Sequence, residues 1–202
     1  MSVGPANSGG ADVEALDVLD FWFGERGSPG HGRSREAWFR KDDAFDREIR
    51  RRFLALHASA ALGERDRWRD DPTTLLALIV VLDQFSRNLY RDDARAFSQD
   101  AAALDCAQLM VSRGWDAARL PVERQFCYLP FEHAEDLAMQ DRSIELFSAL
   151  EAFPETKGLT EWAEKHRVIV RRFGRFPHRN AALGRESTPE EIAFLREPGS
   201  RF

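Results

Sequence analysis

Residues 75–91 read LLALIVVLDQFSRNLYR, eight apolar residues from Leu75 to Leu82 followed by an abrupt polar turn at Asp83. Asp71 and Pro72 stand just ahead of this run. An aspartate can cap a helix, and a proline fits the first helical position, where its missing N–H would have no partner anyway. The stretch therefore reads as a helix that is apolar all round, which must be covered on most of its sides by other elements. At 100° per residue, Leu76, Val80, Asp83 and Arg87 fall within about 60° of one another. The inward stripe thus continues as an acid and a base, with Gln84 and Asn88 alongside. Asp83 and Arg87 are spaced i,i+4 and can pair.

Working outward, helical periodicity dominates and no alternating β-branched run bounded by turns stands out. A first helix is expected over Asp12–Phe23, its stripe Val13, Leu16, Leu19 and Phe23, with Gly24 ending it. A second runs from near Asp43 to about Ala60, with Phe45, Ile49, Phe53, Leu56 and Ala60 inward. Ser98 opens a helix that Gly114 closes, and Pro121 opens another in which Pro130 marks a kink or two abutting helices. Further helices are expected over Asp141–Leu150, from Thr160 to Phe173, and after the capping box Thr188–Glu191. The fold class is all-α, about eight helices in antiparallel pairs joined by short connections. Residues 1–11 read as a flexible tail and 12–202 as a single domain, a reasonable size for 202 residues.

Two histidines interrupt apolar stripes. His133 falls in line with Val122, Phe126, Leu129 and Leu137, and His166 with Trp162, Ile169 and Phe173. Buried polar groups need partners, and the nearest available ones are each other. Glu132, beside Pro130 and His133, is the carboxylate to watch, since a burial-raised acid or a histidine tuned near neutrality can serve as general acid or base. A third feature is cationic: Lys165 to Arg185 holds seven Lys or Arg residues, two histidines and no acid, in a chain of net charge −5. There Arg175, His178, Arg179 and Asn180 lie in a loop punctuated by Gly174 and Pro177. Arginine forks match carboxylate or phosphate oxygens, which points to a small anionic ligand or a peptide carboxylate. The run is short and the remaining charge would repel a polyanion, which argues against nucleic acid.

Several chemistries lack their signatures. The glycine-rich loop GERGSPGHGRS has no preceding strand and no G-K-[ST]. Neither H-E-x-x-H nor E-x-x-H occurs, so no metal and no cofactor is expected. The two cysteines have no C-x-x-C spacing, and no G-x-S-x-G is present. No signal-like segment or apolar run of membrane length is seen, so the chain is expected in the cytoplasm and off the membrane.

Three strings together, LDQFSRNLYR, ERQFCYLPFEHAED and RFGRFPHRNAALGRESTPEEIAFL, resemble the bacterial family catalogued as domain of unknown function 924. VLDFWFGE, AWFRKDDAFD and FLREPGSRF extend the resemblance over almost the whole chain after the tail. One departure is Ser86, where the family pattern carries proline after LDQF. The resemblance implies an all-helical, tetratricopeptide-like array of helix pairs and supplies no activity. Its motif residues include Asp83, Gln84, Arg87, Asn88, Glu132, His133, Arg175, His178, Arg179 and Asn180.

Three readings follow. The first is a binding protein in which Arg87, Arg175 and Arg179 hold a small anion, Asn88 and Asn180 orient it, and Asp83, His133, His166 and His178 complete the lining. The second is a cofactor-independent hydrolase or lyase with His133 or Glu132 as acid or base. The third is a buried ion network with a structural role, in a chain that binds a protein partner or a second copy of itself.

Overall fold

Asp12 accepts a hydrogen bond from the Glu14 amide and opens α1 (Val13–Phe23). Gly24 ends it at φ 89°, with so little room that a Cβ would meet the Gly30 carbonyl oxygen at 3.1 Å. The computed structural model describes residues 12–200, and the expected tail, residues 1–11, lies outside the described residues. Among the described residues all regular structure is helical, so the chain is all-α. None of these helices is long and apolar enough to cross a membrane.

Asp42 caps α2 (Asp43–Ala61) through the Ala44 and Phe45 amides, and α2 turns Ile49, Phe53, Leu56 and Ala60 inward. Asp71 caps α3 (Pro72–Ile79) through the Thr73 and Thr74 amides. α3 does not stop at Ile79. Its backbone stays helical through a π-helical segment, Val80–Phe85, into α4 (Ser86–Leu89), giving one continuous rod. Every residue from Thr74 to Phe85 is buried, because α1, α2, α5 (Asp100–Ser112) and α6 (Pro121–His133) surround the rod. Ser86 does not end the helix: its hydroxyl donates to the Leu82 carbonyl at 2.6 Å and lies 2.8 Å from His57 Nε2.

Beyond the rod, α6 packs on α5, α7 (Leu137–Ser148) on α6, and α8 (Leu159–Phe173) on α7, neighbours in sequence becoming neighbours in space. The short α9 (Pro189–Phe194) carries the expected capping box, Thr188 with Glu191. A single hydrophobic cluster runs from Ala15 on α1 to Ala163 on α8, with Trp22, Trp38, Phe85 and Phe126 in edge and stacked contacts at its middle. A second, small cluster joins Ile169, Val170 and Phe176 to Phe173 and Phe194.

Some boundaries and faces differ from the sequence expectation. Val13 is 79 % exposed, and α1 buries Ala15, Val18, Leu19, Trp22 and Phe23, a face turned toward the large indole of Trp22. α5 begins at Asp100 after a 3-10 turn, Ala94–Phe97, and Ser98 donates to the Arg95 carbonyl in place of capping. α6 runs through Pro130 as one helix and ends at His133, so Leu137 opens the next helix and is exposed. The buried Gln140 amide takes the place of a continued helix there, donating to the Glu132 and Ala134 carbonyls at 2.6 and 2.8 Å. Trp162 faces outward under the Lys165 ammonium, and the α8 stripe is Ala163, His166, Ile169 and Val170. The boundary of α8 also shifts: Gly158 precedes it, and the Thr160 hydroxyl donates to Glu151.

Candidate functional site

Asp83 and Gln84 lie in the π-helical segment and both are buried. Widening the turn by one residue changes which side chains share a face, and such widened turns recur at functional sites. The Asp83 side chain is 1 % exposed and meets three groups: His133 Nδ1 at 2.8 Å, the Gln84 amide at 2.6 Å and Arg87 Nη1 at 3.4 Å. Burial alone would raise the Asp83 carboxyl, but Arg87, His133 and Gln84 outweigh it and hold the carboxyl well below the usual carboxylate range. An ionised carboxylate can only accept, so the His133 Nδ1 carries the proton and the Nε2 lone pair points away from Asp83.

The end of α6 supplies His133 and Glu132, held by the Gln140 clamp. Burial, then the Arg87 charge, push the His133 imidazolium toward deprotonation against the pull of Asp83, so the ring is neutral at pH 7. Its side chain keeps 14 % of its surface exposed. Glu132 is buried, and desolvation together with the Asp83 charge pushes its carboxyl up to about 8, so it is protonated at neutral pH. Its Oε1 lies 3.2 Å from Nδ1 of His166. Burial pushes His166 down to about 3. The contact therefore joins two neutral groups, with His166 Nδ1 donating to the Trp162 carbonyl at 2.9 Å. The rings of His133 and His166 are 6.5 Å apart, and His166 stands edge-on to Phe176.

Arg87 and Arg179 complete the cluster through a shared acid, Asp100. Arg87 grips Asp100 with both terminal nitrogens, at 3.0 and 3.2 Å, and also donates to the Asp83 carbonyl. Arg179 Nη1 reaches Asp100 Oδ2 at 3.0 Å, and its guanidinium lies between the rings of Phe97 and Phe176. His178 is in ring contact with Phe176.

A family model described as "Bacterial protein of unknown function (DUF924)" matches residues 18–199. The chain belongs to the DUF924 family. A solved structure of a protein of unknown function from Agrobacterium tumefaciens is similar to it, with 43 % sequence identity and a TM-score of 0.79 over 91 % of this chain and 97 % of that one. No functionally curated protein matches it.

In this DUF924 chain the structure brings together Asp83, Arg87, Glu132, His133, His166 and Arg179, with His178 at the edge, and leaves three expected residues elsewhere. Asn88 donates to Asp46 on α2 at 2.8 Å. Arg175 is bidentate to Glu191 at 2.7 and 2.8 Å, and Asn180 bonds Ser187 and Glu191, so both serve to fasten α9. Tyr128 points to Asp116. The cationic run is neutralised across the fold: Arg167 pairs with Asp141 and Glu164, Arg172 with Glu190, and Arg185 with Glu135. Among the described residues no group of three or more histidine, cysteine or acidic side chains is placed to hold a metal ion.

Sequence reasoning missed Asp100, Phe97 and Phe176 as members of the cluster. An acid in the first turn of a helix looks like ordinary compensation of the helix dipole, so Asp100 had no distinguishing signal. Phe97 and Phe176 look like any core phenylalanine until the fold sets an arginine between them.

Proposed function

We propose that the cluster is an acid–base site of a cofactor-independent hydrolase or lyase, with His133 as general base and Glu132 as general acid. The observation that carries this reading is the 2.8 Å bond from His133 Nδ1 to the buried carboxylate of Asp83. That bond fixes the tautomer and the ring plane, and it stabilises the imidazolium that forms when Nε2 takes a proton, as the acid does in a serine-hydrolase triad. A neutral carboxyl next in sequence supplies the proton that a leaving group needs. Two carboxyl groups, Asp83 and Glu132, are thus held in opposite protonation states, the pattern that separates acid and base roles at one pH. Proton transfer by positioned groups is worth about 10²- to 10⁴-fold in rate.

Cysteine chemistry has less support. Cys106 and Cys127 are buried, and burial raises both thiols, Cys106 to about 11. An anion receptor built on Arg87 and Arg175 would have to displace the carboxylates that already hold them, Asp83 with Asp100 and Glu191 respectively.

A turnover screen of the full chain against activated esters, amides and small eliminable acids tests the reading. The expected result is activity whose pH profile rises below 6.5 and falls near 8 as Glu132 ionises, reduced at least about 100-fold in His133→Gln. Activity that survives His133→Gln, or an alkaline limb unmoved in Glu132→Gln, refutes it.

A further inference from the structure

Among the described residues Arg179 makes a single hydrogen bond, from Nη1 to Asp100, and that acid is shared with Arg87. Its side chain is only 7 % exposed, and its Nε is buried with no partner among the described residues. A buried, unpaired N–H of a charged group is costly, and of the four arginines among the described residues whose Nε has no partner, Arg65, Arg119, Arg167 and Arg179, only Arg179 is a buried residue. The rings of Phe97 and Phe176 lie against the guanidinium, with centroids 4.8 and 4.5 Å from Cζ, and neither offers a hydrogen-bond acceptor to its remaining N–H groups.

We propose that Arg179 anchors the carboxylate of the substrate, its Nε and Nη2 forming the two-pronged edge that grips both oxygens in plane. The assignment rests on the acid–base reading only in calling the bound molecule a substrate, since the anchor itself follows from Arg179 and its surroundings. A planar carboxylate meets such a fork with two parallel N–H···O bonds, and beside the Phe97 and Phe176 rings it is less bulky than a tetrahedral phosphate. Charge favours the same choice. Arg87 and Arg179 are opposed by Asp83 and Asp100, while Glu132, His133 and His166 are neutral. One added negative charge is tolerated beside a guanidinium whose single ion-paired acid is shared with Arg87, while Glu135 and Asp83 act on it only at longer range. Two would be repelled by Asp83 and Asp100 together. Burial and the Arg87 charge lower Arg179 to about 10, the direction expected of an under-compensated cation. The anchor joins the Asp83–His133 pair through Asp100 and Arg87, which places the carboxylate end of a small molecule in the same cluster as the base.

The test is calorimetric titration and thermal melting of the full chain with acetate, benzoate and inorganic phosphate at constant ionic strength, chloride serving as the balancing anion. The expected result is saturable binding of the carboxylates with a rise in Tm, phosphate binding more weakly, and a loss of about tenfold or more in Arg179→Lys, which keeps the charge and loses the edge. Asp100→Asn removes the competing carboxylate and is expected to bind benzoate several-fold more tightly. No saturable binding by the wild type, equal affinity in a natively folded Arg179→Lys, or phosphate binding tighter than carboxylate overturns the assignment. Should Arg179→Lys fail to fold, Asp100→Asn decides, and unchanged or weaker binding there overturns it. Carboxylate binding retained in His133→Gln supports the anchor whatever that variant does to turnover, so the anchor and the acid–base reading stand or fall separately.

Discussion

Asp83→Asn is the perturbation on which most of the cluster depends. The substitution keeps the size of the side chain and removes a charge that is 1 % exposed and faces Arg87 at 3.4 Å and His133 at 2.8 Å. Breaking a buried pair by neutralising one member costs about 3–5 kcal/mol. Arg87 retains its two bonds to Asp100, so the lower part of that range applies, about 3–4 kcal/mol. In a chain of this length about 1 kcal/mol moves Tm by about 2–4 °C, so a fall of roughly 6–16 °C is expected by circular dichroism at pH 7. The difference from wild type should also depend on pH. The folded carboxyl lies below its unfolded value of 3.8, so its contribution is complete above that value and is lost as pH falls toward the folded one. The gap between the two melting temperatures should therefore hold from pH 7 to about 5 and narrow below about 4. A variant melting within about 1 °C of wild type, or a gap that stays constant down to pH 3, would refute the electrostatic account.

Other expectations follow from the same geometry. Glu132 has its folded value raised from 4.5 to about 8, so its effect on stability is most favourable below 4.5 and is lost as pH rises through 8. Glu132→Gln should remove that decline, and parallel melting curves for variant and wild type between pH 5 and 9 would contradict it. The Phe176 amide donates to Glu135 Oε1 at 2.7 Å, and Arg185 grips the same carboxylate. Glu135→Ala should therefore speed hydrogen exchange at Phe176 by tenfold or more, on the order of 1–2 kcal/mol of local stability, and unchanged protection there would count against it. Both cysteines should resist a thiol reagent in the native protein and react only in denaturant, and rapid labelling of either at pH 8 would show that the core opens more readily than its burial implies.

Capping and periodicity carried a large part of the fold into plain view. Asp71 and Thr188, the caps expected from the sequence, act on the next few backbone amides, and such local interactions need no knowledge of the rest of the molecule; Asp12 and Asp42 cap in the same way without such an expectation. The inward stripe of α2 was readable for the same reason, since a 3.6-residue period is a property of the helix itself. The faces of α1 and α8 were legible in part: Leu19, Phe23, His166 and Ile169 are buried as expected, while Val13 and Trp162 stay exposed because no neighbouring element covers the start of either helix there.

The run Leu75–Leu82 and the polar residues that follow it were enough to establish a covered helix carrying Asp83 and Arg87 inward, and two histidines on apolar stripes were enough to mark His133 and His166. Composition and short-range pattern settle such matters because they report what each segment must hide from water. The meeting of these groups is another matter. That Asp83 touches His133, that Asp100 lies between two arginines, and that Arg175, Asn88 and Asn180 belong to other contacts depend on pairings 11 to 79 residues apart. The π-helical turn at Val80–Phe85, which carries Asp83, likewise has no local signature in the sequence. Protonation states follow the same division: an isolated glutamate and an isolated aspartate differ little, and only the packing of α3, α6 and α8 around them makes Glu132 an acid that keeps its proton and Asp83 one that has lost it.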